Sequence, residues 1–293
     1  MPRQPKFSVC EFTTMPSSFA EDVATYRAAG VRGIGIVEAK LPEGRDDEVR
    51  ERLRENGLQA TICIPATQSI LPLPQIKRDS DPAVRVASIA DSLRRFAGLG
   101  AETVVVVTGP QGSYDAGEAR RIVVDGLRAL ARAGAEVGAG VSLEPVHTSM
   151  GANWSLITTI PETVDLLDEV SEPHLKILFD TWHLWDTPGV LEDIRRYADR
   201  FAGVHVNDWR EPTRSWADRL PPGEGAMDLP AIFGALEAAS YEGWYDLEIF
   251  SDDGTFGTVH DDSLWTLDPL ELVTRGREGF LRAWRAGAAM VDA

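Results

Sequence analysis

Eight times along this chain a short apolar run gives way to a longer segment with helical spacing, and the order never breaks. The apolar runs fall at 7–10, 34–37, 60–64, 103–107, 141–143, 175–179, 203–206 and 245–247. The fourth reads Thr103 and then Val104, Val105, Val106 and Val107. A strand apolar at every position is covered on both faces, as in a parallel sheet. The intervening spacing predicts helices over 17–29, 46–56, 82–99, 116–137, 161–170, 191–201, 229–239 and 268–286. Phe19, Val23 and Tyr26 share one face of the first, with Gly30 as its stop. Pro82 suits a first helical turn, and Asp228 is an N-cap. A longer loop, 65–81, follows the third strand.

Strict alternation implies parallel strands joined by helical crossovers. The chain has 293 residues, so each unit averages about 37, which suits one α/β domain over 1–293, a (β/α)8 barrel. An open doubly wound sheet also alternates, but it calls for a phosphate-binding loop after the first strand, and none follows 7–10.

Composition removes several function classes. Lys and Arg number 29 against 46 Asp and Glu, a net charge of −17. Binding to nucleic acid or an anionic membrane needs clustered cations, so neither is expected. No apolar stretch reaches the roughly 18 residues of a membrane span, and 1–12 holds no secretory h-region. Cys10 and Cys63 are the two cysteines, too few for a disulfide framework. A reducing, cytoplasmic setting is expected.

Barrel chemistry sits at the C-terminal ends of the strands. There stand Glu144, Asp180, His205 (between Val204 and Val206) and Glu248, separated by 36, 25 and 43 residues. Each gap is about one βα unit, so the four project from the fifth to the eighth strand into one mouth. Three carboxylates and an imidazole in a low-dielectric mouth repel one another unless neutralised, and a divalent cation does that. Oxygen-rich ligation with a single nitrogen favours Mn²⁺, Mg²⁺ or Co²⁺ over structural zinc, without choosing among the three, and Mn²⁺ is the expected ion.

The segments 143–147 (LEPVH), 179–183 (FDTWH), 203–210 (GVHVNDWR), 223–236 (GEGAMDLPAIFGAL) and 241–250 (YEGWYDLEIF) resemble the signatures of the xylose isomerase-like barrel family. That family holds sugar isomerases and epimerases, inosose dehydratases and related enzymes. The resemblance runs over most of the chain and is strongest from Leu143 to Phe250. It implies that Glu144, Asp180, His205 and Glu248 bind one divalent metal, and that His183 and Arg210 touch substrate oxygens. A cation there would stabilise an enolate oxygen.

The chain departs from the family where ketose 3-epimerases commonly carry Asn. His147 stands there, three residues after Glu144. An imidazole at the metal's edge is a candidate general acid or base near neutral pH. The glycines of Gly223-Glu224-Gly225 read as a turn, because Glu224 opposes an anion. Trp154, Trp182, Trp185, Trp209 and Trp216 fall after the fifth, sixth and seventh strands, and aromatic faces stack on sugars or aryl groups. Glu11 and Glu38 end the first two strands, placed either to bind hydroxyls or to cap helices.

The expected function is a metal-dependent sugar isomerase or epimerase that abstracts a proton next to a carbonyl. Glu144 and Glu248 act as base and acid, with His147 as a further acid. Trp182, His183, Arg210 and Glu38 form the substrate set. The alternative is a lyase of the same fold, eliminating from an oxo-sugar or 3-oxo-glycoside with His147 serving the leaving group. An abasic-site endonuclease shares the barrel but uses several metals and more histidines than the five here. Whether the chain pairs with itself or with a small partner subunit stays open.

Overall fold

The computed structural model describes residues 4–291, so the outermost ends of the 1–293 span lie outside the described residues. In chain order it holds β1 Lys6–Cys10, α1 Phe19–Ala28, β2 Gly33–Gly35, α2 Asp46–Asn56, β3 Gln59–Ala60, β4 Ile62–Cys63 and α3 Pro82–Gly98. There follow β5 Thr103–Val106, α4 Ala116–Val137, β6 Gly140–Leu143, α5 Gly151–Trp154, α6 Ile160–Val170, β7 Leu175–Asp180, α7 Thr181–Leu184 and α8 Val190–Tyr197. The chain closes with β8 Phe201–Val206, β9 Asp208–Trp209, β10 Arg219–Leu220, α9 Leu229–Ala238, β11 Trp244–Leu247 and α10 Pro269–Val291.

The main sheet is parallel, in the order β3-β2-β1-β11-β8-β7-β6-β5-β4. Its two ends are halves of one strand. β3 pairs with β2, β4 pairs with β5, and only Thr61 separates them. Thr61 donates its N–H to Ile34 O and accepts from Thr103 N, which closes the ring. The fold is the expected (β/α)8 barrel.

Local chemistry explains the boundaries. Ser18 and Glu21 form a capping box on α1, and Asp81, Asp115, Thr159 and Asp228 cap α3, α4, α6 and α9. Gly57 ends α2 at φ +64, a conformation that favours glycine. At one boundary an expected helix runs into a strand, while the last helix extends past the expected 286 to Val291. The helix expected over 191–201 stops at Tyr197, a 3-10 turn covers Ala198–Arg200, and Phe201 begins β8. Phe201 stacks on Phe179 of β7 at 5.5 Å, so sheet packing claims it.

Inside the barrel, beneath the site, Ile62, Val105, Leu178 and Trp244 form an apolar plug. Gly33 makes room for that plug, since a Cβ there would sit 2.7 Å from the Trp244 ring. On the outside, α10 packs Phe280 against Phe7, Phe233 and Tyr245. Burying one such ring stabilises by about 1.5–3 kcal/mol. The C-terminal strand ends stand at the opposite rim.

Candidate metal and substrate site

At that rim lies a cavity of about 460 Å³, lined by Glu144, His183, His205, Arg219 and Glu248 at its polar end. Ladder register puts these side chains together. Asp180 pairs with His205 across β7 and β8, and Leu247 pairs with Val206 across β11 and β8. Backbone bonds continue one residue beyond the named strands, from Glu144 N to Val106 O and from Glu248 N to Val206 O. The acids therefore stand on hydrogen-bonded backbone.

His205 is the hub. Its Nδ1 lies 3.4 Å from Glu144 Oε1 and 3.4 Å from Glu248 Oε2. Glu144, Asp180 and His205 each offer a ligand atom, all within 4.8 Å of one another. Asp180 is fully buried, and its Oδ1 accepts from Trp182 N at 2.8 Å and Asn207 Nδ2 at 3.0 Å. The strand-end acid thus caps α7 as well as facing the site. Glu144 Oε1 and His205 Nδ1 are buried without hydrogen-bond partners. Orphaned ligand atoms facing one point are what a coordinating cation satisfies, so the residues fit a divalent metal.

Electrostatics point the same way. Burial alone would lower the His205 pKa, but the Glu248 and Glu144 carboxylates outweigh it and raise it to about 10. Burial raises Glu248 to about 7, against His205 and Arg219. Burial opposes the ionised form of Asp180 too, yet Arg219 and the two imidazoles hold it down to about 2. The site is a sink for positive charge.

Sequence reasoning named Arg210 as the cation at the substrate, but Arg219 stands in the cavity. Arg219 Nη1 bridges Asp180 Oδ2 at 2.8 Å and Glu248 Oε2 at 2.7 Å. Its guanidinium stacks 4.7 Å over Phe250 and 5.3 Å over Trp182. Arg210 instead bonds Asp218 at 2.8 Å and lies 3.4 Å from Asp262, in a cluster with Arg214. The reason is the short antiparallel arm β9–β10, which turns Arg219 inward beside its partner Trp209.

The other named residues separate into two groups. His183 lines the cavity, and its Nδ1 accepts from His147 N at 3.1 Å. That leaves the ring proton on Nε2, 3.7 Å from Asp180 Oδ2. Burial lowers His183 to about 4, so it is a neutral donor. The second group stands back from the cavity. His147 is packed against Trp182 and Trp209, with Nε2 3.3 Å from Asp186. Trp182 is buried against Arg219, His183 and Trp209 and supports them. Glu38 accepts from Ala66 N at 2.8 Å and Ser92 Oγ at 2.7 Å. Glu11 accepts from Val37 N at 2.9 Å.

The rest of the cavity wall is mainly apolar, with Gln68, Gln75 and Thr255 as its polar members. Phe12, Ile64, Val107, Trp154, Trp216, Phe250 and Phe256 form the apolar part. Trp216 touches Trp154 at 5.6 Å and Phe256 at 4.8 Å. Of the five loop tryptophans, Trp154 and Trp216 are the two that line the cavity.

The profile of the xylose isomerase-like TIM barrel matches residues 23–282. The chain belongs to this family. Among relatives within it, an inosose dehydratase of Geobacillus thermodenitrificans (strain NG80-2) is 30% identical over 146 residues, covering 45% of this chain and 47% of that protein. The chain thus spans about half the length of that curated relative. The 3-dehydro-D-guloside 4-epimerase of Escherichia coli (strain K12) is 24% identical over 251 residues, covering 81% of this chain and 90% of that protein. A solved structure from Sinorhizobium meliloti 1021 superposes with a TM-score of 0.83 at 25% identity, covering 95% of this chain and 98% of the other. Among the described residues, no helix is long and apolar enough to cross a membrane.

Proposed function

We propose that this barrel is a divalent-metal-dependent sugar isomerase or epimerase working by proton transfer at a carbon next to a carbonyl. The observation that carries it is the convergence of Glu144, Asp180 and His205 on one point, with Glu248 Oε2 3.4 Å from the same ring nitrogen and with Glu144 Oε1 and His205 Nδ1 left unpartnered. These four residues would hold the cation, Mn²⁺ in our reading. A bound divalent ion supplies Lewis-acid polarisation of a carbonyl oxygen.

The remaining chemistry belongs to the chain. Glu248, on one flank of His205 Nδ1, is placed to take and return a proton at the reacting carbon. Glu144, on the other flank of His205 Nδ1, serves the opposite face of the reacting carbon. Arg219 holds Glu248 in place and presents its guanidinium to negative charge developing on the substrate. His183 presents a neutral Nε2–H to a substrate oxygen. Reprotonation on the other face gives an epimer, and at the neighbouring carbon an isomer. The net charge of −17 suits a neutral sugar better than a phosphorylated one. Free, buried Cys10 and Cys63 suit a reducing cytoplasm.

A second reading has one observation in its favour. The apolar wall offers few partners for sugar hydroxyls, and it suits an apolar aglycone. On a 3-oxo-glycoside, the same proton abstraction followed by loss of a β-substituent is an elimination. The relatives' names span both outcomes, a dehydratase and a glycoside epimerase.

The test incubates the protein with Mn²⁺ in D₂O against a panel of free ketoses and 3-oxo-glycosides. Deuterium next to the carbonyl of a ketose or an intact oxo-glycoside supports proton abstraction with return. Aglycone release supports elimination. No exchange and no release with either class would sink both readings.

A further inference from the structure

Asp246 lies in the middle of β11, with its side chain fully buried inside the barrel. It has no part in the mechanism above, and neither of its oxygens has a hydrogen-bond partner. Leaving a buried carboxylate unpaired costs several kcal/mol, so such a group needs a reason to be there. Register sets Asp246 beside Ser8 of β1 on one side and beside His205 of β8 on the other. Its Oδ2 lies 3.8 Å from His205 Nε2, the ring nitrogen turned away from Glu144 and Glu248.

The fold makes space for this carboxylate. A Cβ on Gly35 of β2 would sit 2.2 Å from Asp246 Oδ2 and 2.9 Å from the Ile62 carbonyl oxygen. Only a residue without a side chain fits opposite it. His205 Nε2 has no partner of its own either. Two orphans, a donor nitrogen and an acceptor oxygen, therefore face each other at the floor of the site.

We propose that Asp246 is a positioning residue for the metal, accepting the Nε2–H of His205 so that the Nδ1 lone pair is aimed at the cation. The inference rests on the metal-site reading above. A histidine that ligates through one nitrogen commonly donates its other N–H to a carboxylate, which fixes tautomer and ring orientation and raises ligand basicity. Here the carboxylate comes from the same strand end that supplies Glu248, two residues on. Strand alternation turns both side chains to the same face.

The test is Mn²⁺ titration calorimetry on wild type, Asp246→Asn and Asp246→Leu, paired with thermal melts of each metal-free protein. The Leu variant removes acceptor and charge, and its Mn²⁺ affinity is expected to fall by about 10–100-fold. The Asn variant keeps an acceptor oxygen without the charge and should lose less. Metal-free Asp246→Asn, which keeps the shape and an acceptor oxygen for the His205 Nε2–H, should melt close to the wild-type temperature, whereas Asp246→Leu leaves that N–H without a partner and should melt lower. Weaker binding in an Asn variant that is no less stable is a pattern that mere packing cannot produce. Wild-type affinity in both variants overturns the proposal, as does a lower melting temperature with unchanged affinity. If Asp246→Leu fails to fold, the Asn variant alone decides on the same criteria. If the wild type itself takes up no Mn²⁺, the metal-site reading falls, and this proposal with it.

Discussion

Replacing Arg219 by Met tests how the site balances its charge. The side chain is 3% exposed, so water screens the pair little. Its Nη1 holds Asp180 at 2.8 Å and Glu248 at 2.7 Å, and Met keeps most of the apolar stem between Phe250 and Trp182. Removing one partner of a buried pair costs about 3–5 kcal/mol. At roughly 2 °C per kcal/mol for a chain of this size, the metal-free variant should melt about 6–10 °C below wild type. The pH dependence of the Asp180 contribution should change sign as well. In the wild type, Asp180 sits at about 2, below its ordinary 3.8. Its contribution is therefore present above the unfolded value and lost as pH falls through about 2. Without Arg219, burial is the dominant influence and the folded value rises, so stability should increase more steeply than in wild type, where Glu248 already sits at about 7, as pH drops from 7 to 5. Mn²⁺ should then raise the melting temperature more in Arg219→Met than in wild type, since it replaces the lost cation. Thermal melts with and without Mn²⁺, at two pH values, read all three effects. A variant within 2 °C of wild type, or one that Mn²⁺ stabilises less than wild type, refutes the reasoning.

Other outcomes follow from the same geometry. Glu144→Gln and Glu248→Gln should each lower kcat by about 10²–10⁴-fold, measured as the rate of deuterium uptake at saturating Mn²⁺. His205, held at about 10, and Glu248, at about 7, carry protons at pH 7 that ligation must displace. Calorimetry in buffers of different ionisation enthalpy should therefore count about one to one and a half protons released per Mn²⁺, with affinity falling as pH drops; a count near zero contradicts it. Trp216→Ala should raise KM for an aryl 3-oxo-glycoside by about 2–12-fold, the loss of about 0.5–1.5 kcal/mol of ring contact, with little effect on a free ketose. An equal effect on both substrates would remove the apolar wall from substrate selection.

The barrel was legible because period is a local property. An all-apolar run such as Val104 to Val107 and a capped segment such as 82–98 each declare their type without knowledge of the rest. Four of the site's side chains were legible for a related reason, since each follows a strand by one position or sits within it. Arg219 was not. It comes from a connection after β8 that carries Arg210, Arg214 and Arg219, and spacing cannot rank three arginines. The choice is made by Asp218, which engages the first two, and by the arm that turns the third inward. Asp246 left a signal that went unread. It stands two residues before Glu248 in a strand, where alternation places both on one face. His147 was drawn to the metal by its distance in sequence, but the turn around α5 carries it into the packing of Trp182 and Trp209.

The most direct test of the account is an anomalous-scattering map from crystals soaked in Mn²⁺. The account predicts one peak per chain within ligand distance of Glu144, Asp180, His205 and Glu248, with His205 bound through Nδ1. A site that stays empty at saturating Mn²⁺, or a peak held by other side chains, would contradict it.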